Sequence, residues 1–535
     1  MVVTKTFVSF ILLILTIIGN GNAQTFFPDD PIWDDPDRIS VAAPEASHHS
    51  EYYDFYVNTF VFPGKYIQGP AQNVNTLGEV PNSSWYTNRH YWSPMSTDQL
   101  ADGPNQSNGP SIDEKWEIIQ GKSQGITPGF TIKDSHGDVY FIKFDPPDYQ
   151  EMTTSSEIIS TKIFYALGYF VPENYIVQFP SDILVLNPNA TTKDAMGKKK
   201  PLTEKEVREM LSKAFKDENG YFRAIASKRL NGSPLGPFLY YDTRPDDAND
   251  IFPHESRREL RGLGIFCAWL NHDDARAINS LDMLVESDEK YFVKHYLIDF
   301  GSTLGSGSIL PQNPRASNEY VLEFAPVLKG MFSFGLWVRP WAKVKYPNYP
   351  SIGHIESKFF HPEQWKTEYP NPAFLNCDEE DAFWAAKQVM NFSEEDIRAI
   401  VSSGRITDTE AENYLVQTLI KRRDKIGKAY LHFSGGIDRF LITADRQLKF
   451  TNLLAEFNLE ATPKLRKILW QKFDNETGKS GNLINSFESK DTTIPIPDIK
   501  VDYLKCCIQT EGMGSIDVFI RNNAEKLTIV GLKRH

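Results

Sequence analysis

Two short polar motifs, separated by an apolar hairpin pattern, constrain this chain more than any bulk property does. The first is His272, Asp274 and Asn279, in the spacing His-x-Asp-x-x-x-x-Asn. The second is the run Asp299, Phe300, Gly301. Between them, residues 280–285 and 291–298 are apolar on either side of a polar tip at 286–290, which predicts a β-hairpin delivering Asp299 at its end. Ahead of them, Leu260, Leu263, Cys267 and Leu270 recur at helical spacing and predict a helix leading into the loop. Taken singly each motif is weak, since Asp-Phe-Gly more often marks a turn. Their order, with the helix before and the hairpin between, is the informative part. It lets two carboxylates and one amide face a single cleft.

In that order the helix, the loop and the hairpin resemble the catalytic loop and metal-binding segment of the protein-kinase-like superfamily. Trp269 and Leu270 shortly before Asp274, with Asn279 following, are most similar to the atypical HipA-type and CotH-type kinases. Phosphoinositide kinases and aminoglycoside phosphotransferases share parts of the arrangement. Phosphoryl transfer needs a carboxylate to orient the attacking hydroxyl and accept its proton, and oxygen ligands to hold magnesium against the donor phosphates. The resemblance implies Asp274 as catalytic base, Asn279 and Asp299 as metal ligands, and His272 as a brace for the loop against Phe300. ATP and magnesium are the cofactors so implied. Asp273 stands where many protein kinases carry Arg, the usual receiver of an activation-loop phosphate.

Upstream, residues 116–120 read as a strand. A hairpin then follows with arms at 130–133 and 139–144. Gly121, Gly125 and Gly129 lie between strands, where backbone N–H groups can approach phosphates, but their spacing departs from the usual kinase glycine loop. Gly121 and Lys122 resemble part of a Walker loop, yet Trp116 stands where its first glycine belongs. Lys143 shares a strand face with Val139 and Phe141, and an ammonium there needs an anionic partner or an escape to water. The resemblance implies that Lys143 steadies the ATP phosphates and that Glu157 positions it. Glu157 is also the fourth residue of a Thr154–Glu157 capping-box pattern, and Glu151 is a second candidate partner.

Residues 7–18 form a short apolar run after Lys5, followed by the small residues Gly21 and Ala23, which predicts a secretory signal cut after Ala23. The run is too short to anchor in a bilayer, and no later stretch spans one. The expected location is secreted or periplasmic. A net charge of −13 argues against nucleic acid as a partner. With 535 residues, 41% of them apolar, there is ample core for several domains. Four cysteines do not make a disulfide framework in a chain of this length: Cys267 reads as core, and the neighbours Cys506 and Cys507 point to opposite faces of a strand.

The expected fold class is α+β, a bilobal protein-kinase-like fold with an N-terminal extension and a C-terminal β domain. Its parts are a signal peptide at 1–23, an irregular extension at 24–115, a small lobe at 116–236, a helical large lobe at 237–430 and a β domain at 431–535, with strands expected at 440–443, 503–509, 516–520 and 527–530 that suggest a sandwich. Trp85, Tyr86 and Trp92 in the extension are candidates for binding carbohydrate, with structural packing as the commoner use. Residues 332–372, dense in aromatics and prolines, read by default as irregular core. The basic run at 421–423 suits a helix end and reads as a solvated face. The functional expectation is a secreted atypical phosphotransferase acting on the hydroxyl of a protein, sugar or lipid. Its alternatives are a pseudokinase or binding module without catalysis, and a nucleotidyl transferase on the same fold.

Overall fold

Alternating apolar residues along 116–144 fold as three antiparallel strands, β1 (Trp116–Gly121), β2 (Gly129–Lys133) and β3 (Val139–Phe144). Their inward residues Trp116, Ile118, Phe130, Ile132, Tyr140 and Ile142 share one core. The strands β4 (Asn174–Pro180), β5 (Leu184–Lys193), β6 (Lys199–Pro201) and β7 (Tyr221–Lys228) complete a sheet of order β4-β7-β3-β2-β1-β5-β6. The computed structural model describes residues 24–42, 44–48, 50–61, 69–122, 127–194, 197–334, 336–460, 464–523 and 526–535. The signal peptide expected at 1–23 and the centre of the glycine loop, with Gly125, lie outside the described residues.

Helix α1 (Met152–Ala166) follows β3 and is buried along nearly its whole length, Glu157 included. The capping box expected at Thr154 does not form. The helix begins earlier, with Glu151 at its N-cap in a left-handed conformation (φ 71°), and the Thr154 hydroxyl donates instead to Asp145 Oδ2 at 2.7 Å.

A second sheet, of order β10-β9-β8, is built from β8 (Ser233–Gly236), β9 (Ser280–Ser287) and β10 (Lys290–Leu297), so the expected hairpin is present. Further helices include α2 (Arg258–Leu270), α3 (Glu379–Met390), α4 (Glu394–Ser402) and α5 (Thr409–Tyr430). Helix α2 is enclosed on almost every side rather than on one apolar face. Its Arg258 and Arg261, both fully buried, are neutralised by Asp381 of α3: Arg258 Nε donates to Oδ1 at 2.9 Å and Arg261 Nη1 to Oδ2 at 3.2 Å. Arg422 of α5 is likewise buried, which corrects the solvated reading of the 421–423 run. Its guanidinium donates to the carbonyls of Ala268 and Trp269 at 2.5 and 2.9 Å, satisfying the C-terminal end of α2 just before the His272–Asn279 loop.

The chain divides into two compact units. One is Trp33–Val74 with Val80–Leu431, and the other joins the described residues up to Ile32, Asn75–Glu79 and His432–His535. The second unit is mainly β, with a short α-helix at Leu453–Glu456: β11 (Ile437–Ile442), β12 (Gln447–Asn452), β13 (Arg466–Asp474), β14 (Lys479–Ser489), β15 (Thr493–Pro495), β16 (Tyr503–Thr510), β17 (Ser515–Asn523) and β18 (Lys526–Arg534). A three-stranded sheet, β11-β12-β15, and a five-stranded one, β14-β13-β16-β17-β18, contribute Leu448, Ile494, Trp470, Cys506 and Val518 to a common core. Cys506 is buried and Cys507 half-buried, as strand alternation requires. Phe26 packs in this unit against Phe473 and Phe519, with ring centroids 5.9 and 5.1 Å apart. The described residues of the N-terminal extension therefore fall in both units.

Trp85 and Tyr86 serve packing: Trp85 stacks on His295 at 3.5 Å, and the Tyr86 hydroxyl donates to Gln388 Oε1 at 2.9 Å. Residues 332–372 divide. Ile352, Ile355, Phe360 and Tyr369 are core, whereas Phe332, Phe334 and Leu336 face solvent, so the core reading fails for the first part of that stretch.

Candidate functional site

Strand alternation on β3 buries Tyr140, Ile142 and Phe144 and turns Lys143 to the other face. There its ammonium group meets two carboxylates, Glu157 Oε2 of α1 at 3.4 Å and Asp299 Oδ1 at 2.8 Å. Burial alone would lower the pKa of Lys143, but Asp299 and Glu157 outweigh it and hold the ammonium above its usual range. Burial pushes the Glu157 carboxyl up against the pull of Lys143. For Asp299 burial acts upward too, but Lys143 and then Lys122 draw it below the usual carboxylate range. The Asp299 side chain remains 47% exposed, so it stays accessible from the cleft.

Glu157 is fixed from several sides, accepting from Phe300 N at 3.1 Å and from Asn174 Nδ2 at 3.4 Å. Gly301 has a steric reason to be glycine, since a Cβ there would stand 3.2 Å from Glu157 Oε2 and 3.1 Å from Thr153 Cγ2. Glu151, the other candidate partner for Lys143, instead accepts from Thr407 N at 2.9 Å.

Helix α2 ends at Asn271, which adopts the left-handed conformation (φ 55°) and turns the chain into the loop. His272 is buried, with its ring 6.0 Å from that of Phe300. Burial lowers its pKa to about 4, against a backbone hydrogen bond at Ser302, so the imidazole is neutral. Asn279 Nδ2 donates to the Asp274 carbonyl at 2.7 Å, which closes the loop on itself and leaves the amide oxygen as the atom that can meet a cation. Burial raises the Asp274 carboxyl to about 6, against the pull of Arg276 beside it. Arg276 Nε is ion-paired with Asp274, and its Nη1 pairs with Glu368 at 3.1 Å and with Glu51.

No family model matches the sequence, and no curated protein matches it either. Among solved structures it is similar to a Helicobacter pylori proinflammatory kinase, CtkA, at 12% identity over 59% of this chain and 98% of that one, with a TM-score of 0.31. It is also similar to the Golgi casein kinase, at 12% identity over 75% of this chain and 95% of that one, with a TM-score of 0.30. The chemical reading of the site rests on the chain's own geometry.

Asn279 and Asp299 offer an amide oxygen and a carboxylate, hard oxygen donors of the kind magnesium takes, so the residues present fit that ion. No group of three or more His, Cys, Asp or Glu side chains suited to a metal occurs among the described residues.

Three contributors escape the sequence motifs. Lys122, just past β1, runs over Gly129, its Cδ 3.4 Å from where a Cβ on that glycine would be. Gly129 pairs directly with Lys143 across β2 and β3, so two lysines converge on the cleft. Burial and the Lys143 charge bring Lys122 down to about 8, opposed by Asp299 and Glu157. Its place beside a glycine loop is the one signal the sequence offers. Glu368 and Glu51, the partners of Arg276, carry none, because each is brought to the loop from far along the chain.

Proposed function

We propose that the larger unit is a phosphotransferase that moves the γ-phosphoryl group of Mg-ATP to a hydroxyl acceptor on a protein, sugar or lipid, and that the protein is exported. The observation that carries the reading is Lys143 held between Glu157 and Asp299 at 3.4 and 2.8 Å, beside a loop that presents Asp274 and Asn279.

Lys143 and Lys122 bind the donor phosphates, and Glu157 keeps Lys143 charged and directed. Asn279 and Asp299 would hold magnesium, which would offset the charge of the donor phosphates. Asp274 accepts the acceptor's hydroxyl proton as that oxygen bonds to the γ-phosphorus and the bond from phosphorus to the ADP oxygen breaks. A carboxyl raised to about 6 is still largely ionised at neutral pH, and is a stronger base than an ordinary aspartate. Arg276 holds the Asp274 carboxylate in place, tying it to Glu368 at 3.1 Å.

The test is nucleotide binding by calorimetry together with transfer of labelled phosphate from ATP, in the wild type and in Asp274→Asn. Binding retained with transfer lost in the variant supports the reading. Binding without transfer in the wild type makes the chain a pseudokinase, and absence of binding with and without magnesium refutes the kinase-like reading altogether.

A further inference from the structure

A run of large apolar side chains between Phe324 and Val338 is exposed among the described residues. In the helix Phe324–Phe332 no residue is buried, although eight of its nine positions are apolar or glycine. Phe332, Phe334 and Leu336 are 80%, 94% and 88% exposed. A helix apolar all round has no stable place in water, and a cluster of bare side chains this large marks an interaction surface.

The charge of the stretch is as one-sided as its hydropathy. From Phe324 to Ile355 the formally charged side chains at pH 7, with His354 taken as neutral, are Lys329, Arg339, Lys343 and Lys345, with no Asp or Glu, in a chain whose net charge is −13. The acids at its root are already matched. Glu319 pairs with Arg339 and accepts from Trp341 Nε1 at 2.8 Å, and Glu323 pairs with Lys366 at 2.6 Å. The root is therefore anchored while the apolar tip, with exposed Lys329, Lys343 and Lys345, is presented outward.

We propose that this stretch binds the surface of an anionic phospholipid bilayer, with Phe332, Phe334 and Leu336 in the acyl boundary and the lysines at the headgroups. Apolar tip, flanking Trp337 and Trp341, and lysines without acids make the combination that an interfacial segment needs. A second copy of the chain fits less well, because a self-complementary contact sets the same lysines against each other. Insertion at the interface is compatible with the finding that no helix among the described residues is long and apolar enough to cross a membrane. The inference goes beyond the phosphotransferase reading and does not depend on it.

The test is co-sedimentation of the full chain with vesicles of phosphatidylcholine alone and of phosphatidylcholine with phosphatidylserine. The wild type is expected to bind the mixed vesicles, more weakly at high salt. The triple variant Phe332→Ser, Phe334→Ser, Leu336→Ser is expected to lose about 100-fold or more in affinity. Lys343→Glu with Lys345→Glu is expected to lose about tenfold or more on the mixed vesicles, with unaltered thermal melts in both variants because the side chains are exposed. No binding by the wild type overturns the proposal, as does a triple variant that binds equally well. A concentration-dependent dimer abolished by the triple variant, without vesicle binding, assigns the surface to a second copy instead.

Discussion

Lys143 and Asp299 are ion-paired at 2.8 Å although 156 positions separate them in the chain. The strand register that turns Lys143 to the cleft and the hairpin that ends before Asp299 are independent local features. Their meeting is what makes a site of them.

Asp299→Ala is expected to abolish the magnesium dependence of nucleotide binding, because one of the two proposed oxygen ligands is lost. Lys143→Ala is expected to weaken nucleotide affinity by about 10- to 100-fold, the range of a lost hydrogen bond to a charged group. Calorimetry with ATP, with and without magnesium, measures both.

Asp274 acts as base only when ionised, so protonation removes activity. With its carboxyl at about 6, the transfer rate is expected to fall as pH drops through that value and to level off above it. In Asp274→Asn the rate is expected to be lower by about 10²- to 10⁴-fold, and the acidic limb to vanish. The pH profile of phosphate transfer at saturating ATP checks this.

Lys122 titrates in the opposite sense, being cationic below about 8 and neutral above. Attraction for the nucleotide phosphates is therefore expected to weaken as pH rises through 8. Lys122→Arg keeps its charge and is expected to hold affinity constant over that range, whereas Lys122→Ala is expected to be weak throughout. Nucleotide titrations between neutral and alkaline pH separate the three.

Asp381 neutralises Arg258 and Arg261 inside the packing of α2 on α3. Asp381→Ala removes a carboxylate shared by two buried arginines, Arg258 keeping its pair with Glu380 at 3.2 Å, and is expected to cost about 3–5 kcal/mol of stability. Urea denaturation measures the loss. Wherever the variant remains folded, nucleotide affinity is expected to be unchanged, since Asp381 does not reach the cleft.

The local elements were legible because each has its own period. The hairpins β2–β3 and β9–β10 show apolar arms around polar tips, and α4 opens at Ser393 with the capping box its residues spell out. In the β unit, β14 is exposed along almost its whole length and has no apolar alternation to read. β13 hides Ile468 and Trp470 among lysines and glutamine, so its pattern is easily taken for a polar loop.

By itself the sequence determined which donors exist and how they are spaced locally: Asp274 and Asn279 on one loop, Asp299 at a hairpin's end, Lys143 on an alternating strand. Spacing sufficed there because a turn or strand fixes neighbours only a few residues apart. Tertiary structure alone decided that Glu157 rather than Glu151 meets Lys143, that Lys122 joins it across Gly129, and that Arg276 is shared among Asp274, Glu368 and Glu51. It also decided that Arg422 closes α2 from within the core while Phe334 is bare. Those outcomes depend on which surfaces pack together over hundreds of residues, and charge and hydropathy at a single position do not encode that.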